Sequence, residues 1–170
     1  MATQTIDTRT FDRISRGFDA IASRSHSLHA DCYRDPDFLD LERQQIFHKS
    51  WQFLCHEENL AKPGSYVATE IEGQSIFACR DKDGELRAFY NVCKHRGHEL
   101  LQGSGKINAI ACPYHAWVYG LDGRLSSARR SELIANFDTK KIRLDGVRVE
   151  TFCHLVFVNL DPEAPALTEQ

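Results

Sequence analysis

Long apolar runs are missing from this sequence. No stretch approaches the roughly 18 uninterrupted apolar residues of a membrane-spanning helix, so no membrane association is expected. The first 28 residues hold no apolar block either, which argues against a secretory leader. They are rich in Ser, Thr and Arg, as organelle transit peptides are. Asp7, Asp12 and Asp19 stand among those arginines, however, and transit peptides avoid acids, so cytoplasmic residence is expected. An excess of either charge is missing too. With 21 basic and 24 acidic residues, a net charge of −3 and a pI near 6.2, a nucleic-acid role has no support. Internal repeats and low-complexity tracts are absent. What remains is an ordinary globular composition, 42% hydrophobic and 26% charged, over 170 residues. That length supports one well-buried domain with a small appendage.

The texture changes along the chain. Phe11, Ile14, Phe18 and Ile21 fall at helical spacing from Thr10 to about Ser23, weakened by Gly17. Asp35-Pro36-Asp37-Phe38 reads as a helix start, with Asp at the cap and Pro in the first turn, and this helix should run to about Trp51. Residues 1–50 are therefore expected to form a helical arm. From Trp51 onward, Pro63-Gly64, Glu72-Gly73, Asp83-Gly84 and Asp122-Gly123 punctuate short β segments. The expected strands are Tyr66–Ile71, Ser75–Arg80, Leu86–Asn91, Ile107–Ala111, Val147–Phe152 and His154–Leu160. Many short antiparallel strands joined by turns make the fold class mainly β, a small sandwich or barrel. Residues 162–170 have the composition of a linker.

Six cysteines stand at positions 32, 55, 79, 93, 112 and 153. In a reducing compartment such residues bind metal or pack as small hydrophobes. Cys93-Lys94-His95 and Cys112-Pro113-Tyr114-His115 each join one Cys to one His, and sixteen residues lie between, giving C-x-H-x16-C-x2-H. Four soft or borderline ligands from two loops point to a metal site. Two metals compete for it. Zinc accepts Cys₂His₂, but zinc fingers usually pair like with like. Mixed loops suit two irons side by side, Cys93 and Cys112 on one and His95 and His115 on the other, with neutral imidazoles raising the potential above that of all-cysteine ferredoxins. The remaining Cys32, Cys55, Cys79 and Cys153 are expected to be buried free thiols.

The run Cys93-Lys94-His95-Arg96-Gly97, followed by Cys112-Pro113-Tyr114-His115-Ala116-Trp117, resembles the Rieske domain of the Rieske non-haem iron oxygenases, closest to the N-terminal half of their α subunits. The likeness takes in the Asp35–Trp51 helix, Asn136-Phe137-Asp138, and Val147-Arg148-Val149-Glu150 leading into Val156-Phe157-Val158-Asn159-Leu160-Asp161, and is greatest to the branch acting on quaternary ammonium compounds or aromatic acids. Ala116 departs from it, since the family commonly has Gly there. The resemblance implies a Rieske-type antiparallel β-sandwich over residues 51–161 after the helical arm, with one [2Fe–2S] cluster per chain. It further implies an NAD(P)H-dependent reductase or ferredoxin as electron donor. The acceptor would be a mononuclear Fe(II) in a larger catalytic domain beginning near residue 162, in an enzyme that is homotrimeric when whole. Respiratory Rieske proteins brace their cluster with a disulfide, and His98 and Tyr114 stand where its cysteines would be. They also carry a serine where this chain has Trp117, so a donor to a bridging sulfide is missing. Tyr119 keeps a second donor position and is expected to bond a cysteine sulfur. Fewer donors place the potential at the low end of the Rieske range, roughly −150 mV.

Other features draw weaker readings. His26, His29 and Asp31 hold the inventory of a facial iron triad, but near a terminus a solvated loop is the default. His98 is expected to be a hydrogen-bonding neighbour and His154 a packing residue in an apolar strand. From Lys94 to Arg148 the chain carries ten basic and five acidic residues, leaving −8 elsewhere. Lys94, Arg96, Arg129, Arg130, Lys140 and Lys141 could form a basic rim that steers an acidic donor. A stand-alone Rieske ferredoxin is the alternative to an oxygenase module. The long arm and the Ser126–Leu144 insertion speak against it.

Overall fold

The computed structural model describes residues 8–131 and 134–169. The chain divides into two compact units between Ile46 and Phe47, within the stretch expected to be helical arm.

In the first unit α1 spans Thr8–Ile14, α2 Asp31–Arg34 and α3 Pro36–Gln45. The start of α3 follows from its sequence: extended Asp35 accepts the Asp37 N–H at 3.0 Å, and Pro36, which has no N–H to lose, takes the first helical position. α3 stops at Gln45 rather than continuing to Trp51, and a separate 3₁₀ turn covers Phe47–Lys49. α1 ends well before Ser23 because Gly17 adopts φ 89° and breaks the helical path. Arg13 reaches both Asp31 and Asp35, linking α1 to the α2–α3 pair.

The second unit is built on strands β1 Gln52–His56, β2 Ser65–Ile71, β3 Gln74–Arg80, β4 Leu86–Tyr90, β5 Ser104–Lys106, β6 Ile110–Ala111, β7 Val118–Tyr119, β8 Leu125–Ser127, β9 Gly146–Phe152 and β10 Leu155–Asn159. They form a seven-stranded sheet in the order β1-β10-β9-β4-β3-β2-β5 and a three-stranded sheet β6-β7-β8, with every pairing antiparallel. This is the Rieske-type β architecture that the resemblance implied.

β3 explains the layering. Ile76, Phe77, Ala78 and Cys79 are all fully buried, so the strand is apolar on both faces rather than alternating. Phe77 and Cys79 join a core with Phe89, Ile110, Cys112, Trp117 and Tyr119, while Ile76 and Ala78 join a second core with Leu60, Val156 and Val158. The first core packs the small sheet, and the cysteines it carries, onto the large one. Gly123 is required at this junction: its φ is 82°, and a Cβ would sit 2.5 Å from the Phe89 ring.

Several expectations change here. Ile107–Ala111 contracts to Ile110–Ala111. β1, β5, β7 and β8 were not foreseen, because β5 is exposed at all three residues and β7 and β8 are too short to show a period. His154 is not in a strand. It forms the β9–β10 turn with Cys153, both at positive φ (63° and 50°), and its side chain is 83% exposed instead of packed. Cys55 and Cys79 are buried free thiols, pushed up by burial to pKa values of about 11 and about 12, whereas Cys153 is exposed and Cys32 only half-buried. Among the described residues no helix is long and apolar enough to cross a membrane.

Candidate metal centre

β4 leads into one Cys/His loop, and β6 and β7 flank the other. The two loops are one turn made twice. Cys93 N–H donates to His98 O (2.9 Å) and Gly97 N–H donates back to Cys93 O (3.0 Å). In the same way Cys112 N–H donates to Trp117 O (2.8 Å) and Ala116 N–H to Cys112 O (3.0 Å). Gly97 and Ala116 occupy equivalent left-handed positions, φ 67° and 56°. The turn puts each cysteine at its base and each histidine towards its tip. Cys93 and Cys112 are 2% and 3% exposed, His95 is exposed and His115 half-buried, and the two imidazole rings approach to 4.7 Å.

This arrangement fits a [2Fe–2S] group. The Nδ1 of His115 is buried without a hydrogen-bond partner, an unfavourable state for a ring nitrogen unless a ligand completes it. Both cysteines are free thiols in one core.

Tyr119 is fully buried beside these cysteines. Its Oη accepts the Lys94 N–H at 3.0 Å and lies 3.3 Å from Cys93 Sγ, so its own proton is free to point at the sulfur. Burial, then the Cys93 contact, pushes the phenol pKa up, so that proton is retained. The Trp117 ring stacks on His95 (4.8 Å, 9° between planes) with Phe137 edge-on to it at 5.8 Å, which fixes the imidazole's orientation. His98 and Tyr114 meet across the two loops at 5.5 Å.

Comparison with known proteins decides the family. Residues 50–138, over half of the chain, match the Rieske [2Fe–2S] domain. The chain belongs to the Rieske family. It corresponds to the N-terminal portion of a Rieske oxygenase α subunit. It is 44% identical over 158 residues to the carnitine monooxygenase oxygenase subunit of Escherichia coli (strain K12), covering 92% of this chain and 42% of that protein. The crystal structure of the quaternary ammonium Rieske monooxygenase CntA with L-carnitine superposes with a TM-score of 0.79 at 42% identity, over 82% of this chain and 40% of that one. Naphthalene 1,2-dioxygenase from Rhodococcus sp. bound to indole gives a TM-score of 0.86 at 28% identity, over 96% of this chain and 38% of that one. The chain thus spans about two fifths of the curated relative's length.

Around the Rieske loops, a cleft of about 380 Å³ is lined by His95, Tyr114, His115, Arg129, Arg130 and Ile134, among others. Partial burial, then the fields of His95, Arg96, His98 and Arg130, lower the His115 pKa and favour the neutral imidazole. The basic rim is narrower than its sequence suggested. Lys94 is paired with Asp145, and Lys141 lies 4.0 Å from Asp138. Arg96, Arg129, Arg130 and Lys140 are exposed and lie outside every ion pair among the described residues. Of His26, His29 and Asp31, Asp31 N–H donates to His29 Nδ1 at 3.3 Å, the Asp31 carboxylate lies 3.6 Å from Arg13, and His26 N–H donates to Gly17 O at 2.9 Å.

Sequence reasoning missed Asn91, Ser75 and Glu99, which hydrogen-bond beneath the first Rieske loop. The only available signal was an Asn, a turn-forming residue, at the end of the expected strand Leu86–Asn91.

Proposed function

We propose that this chain is the electron-transfer module of a Rieske oxygenase, with Cys93 and Cys112 holding one iron and His95 and His115 the other. The observation that carries the assignment is the buried, partnerless Nδ1 of His115, together with the two buried free thiols of the Cys/His loops. When bound, the [2Fe–2S] group supplies one-electron redox chemistry at a potential set by its imidazole ligands. The chain's own residues do the rest. Burial of Cys93 and Cys112 excludes water from the sulfur end, and His95 and His115 bring the other end to the surface. Trp117 orients His95, and Tyr119 donates to Cys93 Sγ. With few such donors the potential should sit at the low end of the Rieske range, roughly −150 mV.

In this reading residues 51–161 form the Rieske domain and the segment after 162 leads towards a catalytic domain. The donor is an NAD(P)H-dependent reductase or ferredoxin with an acidic face, attracted by Arg96, Arg129 and Arg130. The acceptor is a mononuclear iron in a catalytic domain of a trimeric oxygenase. The similarity to the carnitine enzyme favours a quaternary ammonium substrate for the complete system.

Reconstitution with iron and sulfide should give a red-brown protein with two irons per chain and a rhombic EPR signal after one-electron reduction. A colourless protein holding one zinc would overturn the assignment. Supplied with NADH and a compatible reductase, the 170-residue chain should cycle between oxidised and reduced forms without releasing oxygenated product.

A further inference from the structure

Asn91 is fully buried at the end of β4, two residues before Cys93. Its side chain makes every hydrogen bond a carboxamide can make. Oδ1 accepts the N–H of Leu100 (3.2 Å) and of Leu101 (3.0 Å). Nδ2 donates to Leu101 O (2.7 Å) and lies 3.1 Å from Ser75 Oγ and 3.4 Å from Glu99 Oε1. Ser75 Oγ in turn donates to Glu99 Oε1 at 2.7 Å. Asn91 therefore acts towards Leu101 as a neighbouring strand would, meeting its N–H and its C=O at once. Above this closure come the Val92–Glu99 bridge and the Cys93–His98 and Cys93–Gly97 hydrogen bonds, with His95 at the tip.

Beyond this clamp, the loop is held by the Lys94 N–H bond to Tyr119 Oη, the Lys94–Asp145 pair and ring contacts of His95 with Trp117 and His98 with Tyr114. Of residues 92–101, only Cys93 and Leu100 are buried and Leu101 half-buried, while positions 94–99 are all exposed. The second loop needs no such device, because the β6–β7 ladder (Ile110 with Tyr119, Ala111 with Val118) runs directly into it. We infer that Asn91 is a positioning residue for the cluster: its carboxamide clamps both ends of the first loop to the sheet and so fixes Cys93 and His95. No other side chain substitutes well. Aspartate keeps the acceptor but loses the donor to Leu101 O, and places a carboxylate against Glu99. Alanine leaves the Leu100 and Leu101 backbone groups unpaired in the interior.

The inference rests on the ligand assignment proposed above, and two measurements separate them. In the wild-type protein, loaded or unloaded, the Leu100 and Leu101 amides should exchange with deuterium as slowly as those of β3. Exchange as fast as at exposed positions 94–99 would remove the clamp whatever the cluster does. In the reconstituted chain, Asn91→Asp should still fold by circular dichroism and take up iron. It should lose the cluster to a chelator about tenfold faster, the effect of one lost buried hydrogen bond. The EPR g-anisotropy of the reduced state should also shift, which loss of global stability alone would not cause. Wild-type EPR and chelator rates in Asn91→Asp would overturn the inference. Should that variant fail to fold, Ser75→Ala, which removes one Nδ2 partner and the Glu99 tether, is read by the same two outcomes. Failure of the wild-type chain to take up two irons would count against the ligand assignment alone, since the amide exchange still reads the clamp.

Discussion

The two Rieske loops share a hydrogen-bond skeleton yet are secured differently. The first is a long excursion, its tip solvent-exposed, clamped at its base by a buried carboxamide and braced further along by Tyr119 and Trp117. The second is a short turn flanked by β6 and β7, which continue the ladder up to Cys112. They also differ at the position where the turn needs a left-handed residue: Gly97 in the first, where a Cβ would meet nothing within 4 Å, and Ala116 in the second. One turn geometry can thus be reached by a residue that adopts it freely, or by one forced into it because its flanks are fixed by pairing. The ligand spacing, Cys-x-His against Cys-x-x-His, varies within this constant frame. In both loops the turn puts a buried sulfur at the base and an imidazole near the tip.

The largest effect should come from removing a ligand from either loop. His95→Ala and His115→Ala are both expected to abolish the rhombic EPR signal and drop iron content well below two per chain. If one variant keeps a full cluster, the loops are not equivalent and the four-ligand assignment fails.

Next in size is Asp81→Asn in the β3–β4 turn, outside both loops. Asp81 is 2% exposed. Burial alone would raise its pKa. The hydrogen bonds from Arg87 Nε (2.6 Å) and from the Glu85 and Asp83 N–H groups (both 2.9 Å) outweigh that and hold it below the usual carboxylate range. A depressed folded-state pKa stabilises the protein above the unfolded value of about 3.9 and stops doing so as pH falls through the folded value. Urea denaturation should therefore show Asp81→Asn less stable by about 1–3 kcal/mol at pH 7, with the gap closing below pH ~4. A gap that persists undiminished in acid would disprove the ionic origin.

Exchanging the left-handed residues should have smaller and opposite effects. Ala116→Gly relieves a conformation that costs an L-residue about 1 kcal/mol, so it should raise the midpoint of denaturation, whereas Gly97→Ala should lower it by a similar amount. Equal signs would show that the two turns are not strained alike.

The smallest effect on the protein itself should come from Arg129→Gln with Arg130→Gln. Stability and the EPR signal should hold, while reduction by an acidic ferredoxin slows several-fold at low ionic strength and matches wild type in high salt. A salt-independent deficit would mean that these arginines act by something other than steering.

The sequence by itself determined the chemistry. The Cys93/His95 and Cys112/His115 pairs are visible because ligand type and short spacing are local properties, and the α3 cap and the Gly-containing turns are legible for the same reason. β3 stood out because a strand buried on both faces collects apolar residues, and β10 because its Val and Phe residues favour a strand. Tertiary structure decided the rest. β5, β7 and β8 carry no period of their own and exist because a neighbouring strand offers hydrogen-bond partners. His154 falls in a turn, since the β9–β10 register closes one residue later than the apolar run suggests. Which basic residues stay free for a partner depends on where Asp145 and Asp138 fold back. The role of Asn91 is the clearest case. An asparagine after a strand is unremarkable in sequence, and only the return of Leu100 and Leu101 to its side chain makes it the clamp of the first loop.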